Sequence, residues 1–373
     1  MTDGPLTATS VPPAAGAQQG RARPPRAVVS RAAGVVALLA VIAVFPLVIT
    51  NPTATNFGVV TLIFVAVTSA WNLFSGFSGY LSLGHAVFYG AGAYFLIIAA
   101  KDWKLTGDAV FWLLPLAGLV AAVIAVPLGL VALRVRRHTF VVITIAFFFI
   151  AQLSASNLTV TGGSSGLIVP APGNWAPATY NNPFYYLAMI LAAATVALAW
   201  LVRRSRFGLQ LRAIRDDEDR AEGLGVRAMP VKLTALVLSA FITGIAGALW
   251  VYFIGEAFPQ FVFDPLFDLA VVLMAFFGGL GTVAGPVLGA LVLEPAQLYL
   301  NLQQSNGYES EILFGVLFLV VILFLPRGVL PTAGEYAASG RWQKLRGQTL
   351  RGQTLRGRLR RPRAGGAPTR SAP

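Results

Sequence analysis

Long uncharged apolar runs, broken by short polar turns, dominate this chain from about residue 32 to residue 326. They fall at roughly 32–49, 58–75, 84–100, 110–133, 139–155, 184–202, 232–254, 266–281, 283–300 and 311–326. Most are about 17–23 residues long, which suits a helix rising about 1.5 Å per residue across a hydrocarbon layer about 30 Å thick. The runs are continuous, so they lack the period-two alternation of a membrane β-barrel. The pattern predicts an all-α polytopic membrane protein with about 8–10 transmembrane helices. The count is a range because Gly278-Gly279-Leu280-Gly281-Thr282 is a short break, and 266–300 reads either as two spans or as one span and a re-entrant segment.

Composition agrees. Residues are 56% hydrophobic and only 12% charged, about half the charge of a soluble domain. The chain has no cysteine, which excludes disulfide scaffolds, thiolate metal sites and cysteine nucleophiles. With two histidines, His85 and His138, neither a multi-histidine metal site nor a catalytic cluster is expected.

Charge sets the expected orientation. Of 28 Lys and Arg, four precede the first span, three lie at Arg134–Arg137, eight in Arg203–Lys232 and eleven in Arg327–Pro373. Ten spans place all of these on one side and leave only Lys101 and Lys104 for the other. Both termini are therefore expected in the cytoplasm of a cell whose plasma membrane the chain crosses. The net charge of +13 comes mostly from the C-terminal tail, which reads as a segment drawn to anionic lipid and not as a nucleic-acid binder.

Three regions follow. Residues 1–31, rich in Pro, Ala and Gly, read as a disordered cytoplasmic tail. They do not form a signal peptide, because the charged stretch is too long and no small-residue cleavage site follows. Residues 32–330 form the membrane domain. Residues 331–373 form a second disordered tail, basic and of low complexity, with Leu-Arg-Gly-Gln-Thr repeated at 345–349 and 350–354.

The loop at 203–231 is the internal segment with a dense cluster of both charge signs. Phe207, Leu211 and Ile214 recur at helical spacing. The run from Asp216 to Gly225 then reads as a short helix closed by a glycine. Asp216, Asp217, Glu218, Asp219, Ala221, Glu222 and Gly225 are the candidate docking residues, with Asp217, Glu218 and Ala221 expected to face a groove on a soluble partner. An ordinary solvated loop, its acids neutralising nearby arginines, is the other reading.

Glycines at 76, 79, 84, 90 and 92 permit close helix packing or an unwound turn facing a polar solute. In the second case Ser82, Gly84 and His85 would lie on a substrate path; in the first, His85 is a satisfied buried side chain. Glu294 is read as the acid deep inside an apolar run, either lining a cavity or structural. Gly162-Gly163-Ser164-Ser165-Gly166 lacks the GK[ST] ending of a phosphate loop, and no such loop occurs anywhere in the sequence.

Several segments, in order, resemble one family. Asp219-Arg220-Ala221-Glu222-Gly223-Leu224-Gly225 resembles the coupling loop of ABC importer permeases, with Arg220 in place of an alanine. Leu211-Arg212-Ala213-Ile214-Arg215-Asp216-Asp217-Glu218 resembles the permeases of branched-chain amino acid ABC importers of the LivM type. So do Gly79 to Tyr94, Thr161 to Leu167, Gly278 to Thr282 with Gly285-Pro286 and Gly289, and Phe324-Leu325-Pro326-Arg327-Gly328. The resemblance covers about residues 58–330 and implies an ABC importer permease fold in a bacterial inner membrane. It further implies a second homologous permease, two ATP-binding subunits and an extracytoplasmic solute-binding protein as partners. ATP would bind those subunits, so no cofactor is expected in this chain and no catalytic residue. Urea and short-amide importers use similar permeases, and a stand-alone secondary carrier is the reading of a different class; the single intramembrane acid found in the sequence argues against the carrier.

Overall fold

In the computed structural model, which describes residues 42–48, 51–169, 180–303 and 328–332 with isolated positions at 312, 315, 316 and 319, the apolar runs are α-helices. A short helical segment, α1 (42–48), belongs to a unit of its own. The second unit carries α2 (Pro52–Trp71), α3 (His85–Asp102), α4 (Leu114–Ala132), α5 (Arg137–Asn157) and α6 (Asn181–Arg204). It continues through α7 (Arg206–Asp216), α8 (Glu218–Gly223), α9 (Ala228–Ile254), α10 (Pro259–Val262), α11 (Pro265–Gly278) and α12 (Ala284–Gln303). Among the described residues, six helical segments are long and apolar enough to cross a membrane. α3, of 18 residues, and α12, of 20, occupy two more of the expected spans. Most of the expected spans 32–49 and 311–326, and nearly all of both tails, lie outside the described residues.

Local chemistry starts these helices where the sequence dictates. Asn51 accepts the Thr53 amide ahead of Pro52, and Asp264 accepts the Leu266 amide ahead of Pro265. Each pair joins an N-cap acceptor to a proline at the position that has no amide to satisfy. At the end away from the charged loop, two short strands pair antiparallel, β1 (Leu167–Ile168) with β2 (Glu256–Ala257). They tie the loop after α5 to the exit of α9.

α9 is the centre of the packing and makes its most extensive contacts with α3 and α4, which also pack on each other. Its contact faces are lined by small residues, Ala240, Gly244, Gly247 and Ala248, all buried. A Cβ added to Gly92 of α3 would collide with the Gly244 carbonyl, and one added to Gly244 would collide with Ala121 of α4. Backbones in such contact gain van der Waals packing that no larger side chain permits.

The break at 278–283 separates two helices, α11 and α12, packed on each other, an arrangement that two spans and a span with a re-entrant segment share. α11 has 14 residues, about 21 Å at 1.5 Å per residue, and α10 precedes it across a kink at Phe263-Asp264. Asn72 holds the 278–283 turn to α2. It opens a π-helical turn, Asn72–Gly76, that continues α2; its amide nitrogen donates to the Thr282 carbonyl at 2.8 Å and its oxygen accepts the Gly281 amide at 2.8 Å. A π turn widens the helix and commonly marks a functional position. Gly328, in the expected closing motif, returns to Gly279 at the same turn.

Overpacking a tight contact costs about 1–3 kcal/mol. Gly92→Val is therefore expected to lower the melting temperature of the detergent-solubilised protein, while Gly223→Ala, where an added Cβ meets no atom, leaves it unchanged. Equal melting temperatures for both variants would contradict the α3–α9 contact.

Candidate functional site

Between the π turn and α3 the chain runs through Phe77–Gly84, and from Gly79 to Gly84 it belongs to no helix or strand. This connector is largely buried, with Tyr80 and Ser82 each 1% exposed. Its polar backbone groups are met one at a time. The Gly79 amide donates to the Ser75 carbonyl at 3.0 Å, the Tyr80 amide to Ser78 Oγ at 3.3 Å, the Ser82 amide to Ser75 Oγ at 3.3 Å and the Leu83 amide to Thr144 Oγ1 of α5 at 3.2 Å. Trp71 Nε1 donates to the Ser82 carbonyl at 2.8 Å. Gly79 adopts φ +76°, which glycine accepts without a Cβ penalty.

His85 opens α3 and is fully buried. Its Nδ1 lies 3.0 Å from Ser82 Oγ and its Nε2 lies 2.8 Å from Ser239 Oγ on α9. Ser239 gives its one hydroxyl proton to the Ala70 carbonyl at 2.7 Å, so it must accept from His85. The network thus assigns the Nε2–H tautomer, with Ser82 donating to Nδ1. His85 is a neutral brace joining α2, α3, α9 and the connector. Ser82 and Gly84 line a crevice with Phe140 and Thr144 of α5, Leu128 of α4 and Leu236 of α9. It has room for one water at most.

Two buried acids accompany this region. Asp268 of α11, 3% exposed, accepts the Ala86 amide on Oδ1 at 3.1 Å and so caps α3. Glu294 of α12 is 4% exposed and is not among the residues lining the crevice. Glu294 is therefore not the one buried acid. Asp268 escaped the sequence reading because, four residues after Asp264-Pro265, it looks like an acid of a helix's first turn.

The charged loop folds into α7 and α8. Ser205 Oγ accepts the Gly208 amide at 3.2 Å and Asp217 Oδ1 accepts the Arg220 amide at 3.0 Å, so each helix has its own N-cap. Leu211 and Ile214 are fully buried and Phe207 packs beside them. Gly225, at φ +89°, ends the run. Asp216, Asp219 and Glu222 are exposed and Asp217 is half-buried. The expectation that Glu218 and Ala221 face outward does not hold. Ala221 is 3% exposed and packs against the core, and Glu218 turns toward the connector. The periodicity of a six-residue helix is too short to distinguish inward from outward acids.

Glu218 meets two partners that the sequence did not associate with it. The Tyr80 hydroxyl donates to Oε2, and Lys232 Nζ pairs with Oε1. Lys232 also donates to the Tyr80 oxygen at 3.1 Å and lies over its ring, 4.3 Å from the centroid. Lys232, 3% exposed, sits in the first turns of α9 and passed for the last basic residue of the loop. Burial alone would raise the Glu218 carboxyl; hydrogen bonds from Lys232 and Tyr80, with the Lys232 and Arg137 charges, outweigh it and hold Glu218 below its ordinary value. Burial, then the bond to Glu218, pushes the Tyr80 hydroxyl well up. Glu218 thus contributes fully at neutral pH, and its contribution fades only in acid, below the ordinary glutamate value of about 4.3.

Two arginines complete the junction. Arg215 of α7 donates from Nη1 to the Gly76 carbonyl at 2.7 Å, at the end of the π turn. Arg137 of α5 donates from Nη2 to the carbonyls of Ile214 and Arg215, each at 2.7 Å, capping the end of α7. α7 and α8 are thereby fixed to α2, α5, α9 and the connector. By contrast, Arg136–Asp219 and Arg220–Asp217 are exposed pairs and contribute little.

Known proteins match over this same stretch. The family described as the permease component of the branched-chain amino acid transport system matches residues 53–324. The high-affinity branched-chain amino acid transport permease LivM of Escherichia coli K12 is 29% identical over 327 residues, covering 79% of this chain and 74% of the relative. LivH of Salmonella typhimurium is 27% identical over 284 residues, covering 72% of this chain and 91% of the relative. An autoinducer 2 import permease, LsrC of Yersinia pseudotuberculosis, is 27% identical over 175 residues, covering 45% of this chain and 49% of the relative. No solved structure matches. The matched region runs from the first turn of α2 through α12, and this multi-pass membrane protein belongs to the branched-chain amino acid transport permease family.

Proposed function

We propose that the chain is a membrane permease subunit of an ATP-driven importer for branched-chain or related amino acids, and that α7–α8 is the surface on which a separate ATP-binding subunit docks. The observation that carries this reading is the outer face of α8. Asp219, Arg220 and Glu222 are exposed there, and Leu224 just beyond is 88% exposed. An apolar side chain held out among charges of both signs, on a helix clamped from within, suits a protein interface with an apolar centre and a polar rim. ATP would be bound and hydrolysed by the partner, since the sequence holds no phosphate loop. This chain supplies a path and a lever and is not itself an enzyme.

The remaining partners follow from the family. A second, homologous permease would complete the path, two ATP-binding subunits would engage the pair, and an extracytoplasmic binding protein would deliver the solute. Permeases named LivM and LivH are both similar to this chain, which supports a paired assembly. The Lys and Arg distribution supports placing α7–α8 in the cytoplasm of a bacterium and the β1–β2 end outside its inner membrane. The basic tail would lie against anionic lipid.

Burying one leucine at an interface is worth about 1.5–3 kcal/mol, or roughly tenfold to a hundredfold in affinity. Leu224→Asp is therefore expected to reduce co-purification of ATP-binding subunits at least tenfold while the chain itself stays folded. Undiminished co-purification would reject α8 as the docking surface. Because the chain has no native cysteine, single cysteines report sidedness directly. In intact cells an impermeant maleimide should label Lys104→Cys and leave Arg206→Cys unlabelled, and the reverse result would invert the topology.

His85 is read as a brace and not as a substrate contact. Ser239→Ala orphans its Nε2–H, a buried donor whose loss of partner costs about 1–3 kcal/mol. The expected result is a lower melting temperature with an unchanged KM for uptake. A raised KM at unchanged stability would instead place His85 on the substrate path.

A further inference from the structure

We propose that the Gly79–Gly84 connector is the element that α8 drives, and that Tyr80, Glu218 and Lys232 are the positioning residues that carry the motion; the proposal rests on the reading of α7–α8 as the docking surface. Glu218 is the first residue of α8 and points inward, while Asp219, Arg220 and Glu222 of the same turns point outward. A load applied to the outer face therefore reaches Glu218 within one helical turn. Glu218 is bonded to Tyr80, near the start of the connector, and to Lys232, which bonds Tyr80 as well. α8 cannot shift far without carrying Tyr80 or separating a buried charge from its partners, and the second course is strongly disfavoured.

The connector is built to respond. It is joined to α2 and α5 largely through side chains, Ser75, Ser78, Trp71 and Thr144. Such bonds exchange singly, whereas a helical or sheet ladder resists displacement along its whole length. Ser82 and Gly84, alternate residues of the connector, line the crevice against Phe140 and Thr144 of α5. Moving the connector relative to α5 changes the width of that crevice. Arg137 and Arg215 hold α7 to α5 and to the π turn, on either side of the same connector.

The test uses the full transporter complex carrying Ser82→Cys as the one reactive thiol of this chain. Maleimide labelling of Cys-substituted position 82 is measured without nucleotide and after trapping with ATP and vanadate. It is repeated with Tyr80→Phe, which removes one hydroxyl, and with Glu218→Gln/Lys232→Met, which neutralises both charges together. The expected result is a labelling rate that changes at least fivefold on trapping in the parent and less than twofold in both variants, with ATP-binding subunits still co-purifying and melting temperatures within a few degrees. An unchanged rate in the parent, or the full nucleotide response in both variants, would overturn the proposal. So would joint loss of co-purification, melting temperature and response, since the cluster would then be merely structural. Absence of ATP-binding subunits from the parent complex would instead overturn the docking reading, and the proposal with it.

Discussion

An irregular segment packed among apolar helices has to satisfy its buried backbone amides and carbonyls within the protein, and Gly79–Gly84 is such a segment. The rest of the site follows from how this is done. Ser75 and Ser78 turn back from the end of α2, Thr144 reaches in from α5, and Trp71 takes the Ser82 carbonyl. His85 then links the same segment to α9 through Ser239, and Asp268 of α11 receives the first amide beyond His85. α2, α5, α9 and α11 each contribute a polar group at the connector or the first turn of α3, which fixes their rotation about their own axes. Apolar packing alone would leave those rotations loosely specified, because lipid is as apolar as leucine.

The Glu218–Lys232 pair belongs to the same logic at the charged end. Taking both charges out of water is costly, and breaking such a pair by removing one member costs about 3–5 kcal/mol when fully buried. The Glu218 side chain retains 23% exposure, so the figure here is smaller. The pair is therefore weak evidence for stability. Its stronger meaning is positional: it fixes α8 relative to α9 and presents Leu224 and the outer charges in one orientation.

Much of the scaffold was legible in the sequence. The apolar runs and Gly225 mark helices whose causes are local and can be read from neighbouring residues; the starts at Asn51-Pro52 and Asp264-Pro265 are equally local but emerged only with the structure. What the sequence hid is the set of contacts across large separations. Asn72 with Gly281 and Thr282, Tyr80 with Glu218 and Lys232, Arg215 with Gly76 and Asp268 with Ala86 join residues whose pairing no periodicity records. Of the candidates Ser82, Gly84, His85 and Glu294, the first three fall together at the connector and the start of α3, because their Gly-Ser pattern is a local signature, while Glu294 does not line the crevice beside them. The candidates omit Tyr80, because an isolated tyrosine beside glycines carries no signal until its partners are placed. Glu218 and Ala221 were named but turned the wrong way, for want of a helix long enough to show a face.

The two packing styles also divide the molecule mechanically. α3, α4 and α9 meet through Gly92, Ala121, Gly244 and Gly247, where backbones touch and no side chain can rearrange to absorb a shift. Close-packed contacts of this type transmit displacement as a block. The connector has the opposite character, being held by single side-chain bonds with a crevice on one flank. α5 also shows only a narrow buried face, Phe140, Thr144, Phe148 and Ala155. A force entering at α8 meets a rigid block through Lys232 and a compliant segment through Tyr80, and both contacts converge on one carboxylate. Relative motion must then concentrate in the compliant segment, which is the one that carries Ser82 and Gly84 along the crevice.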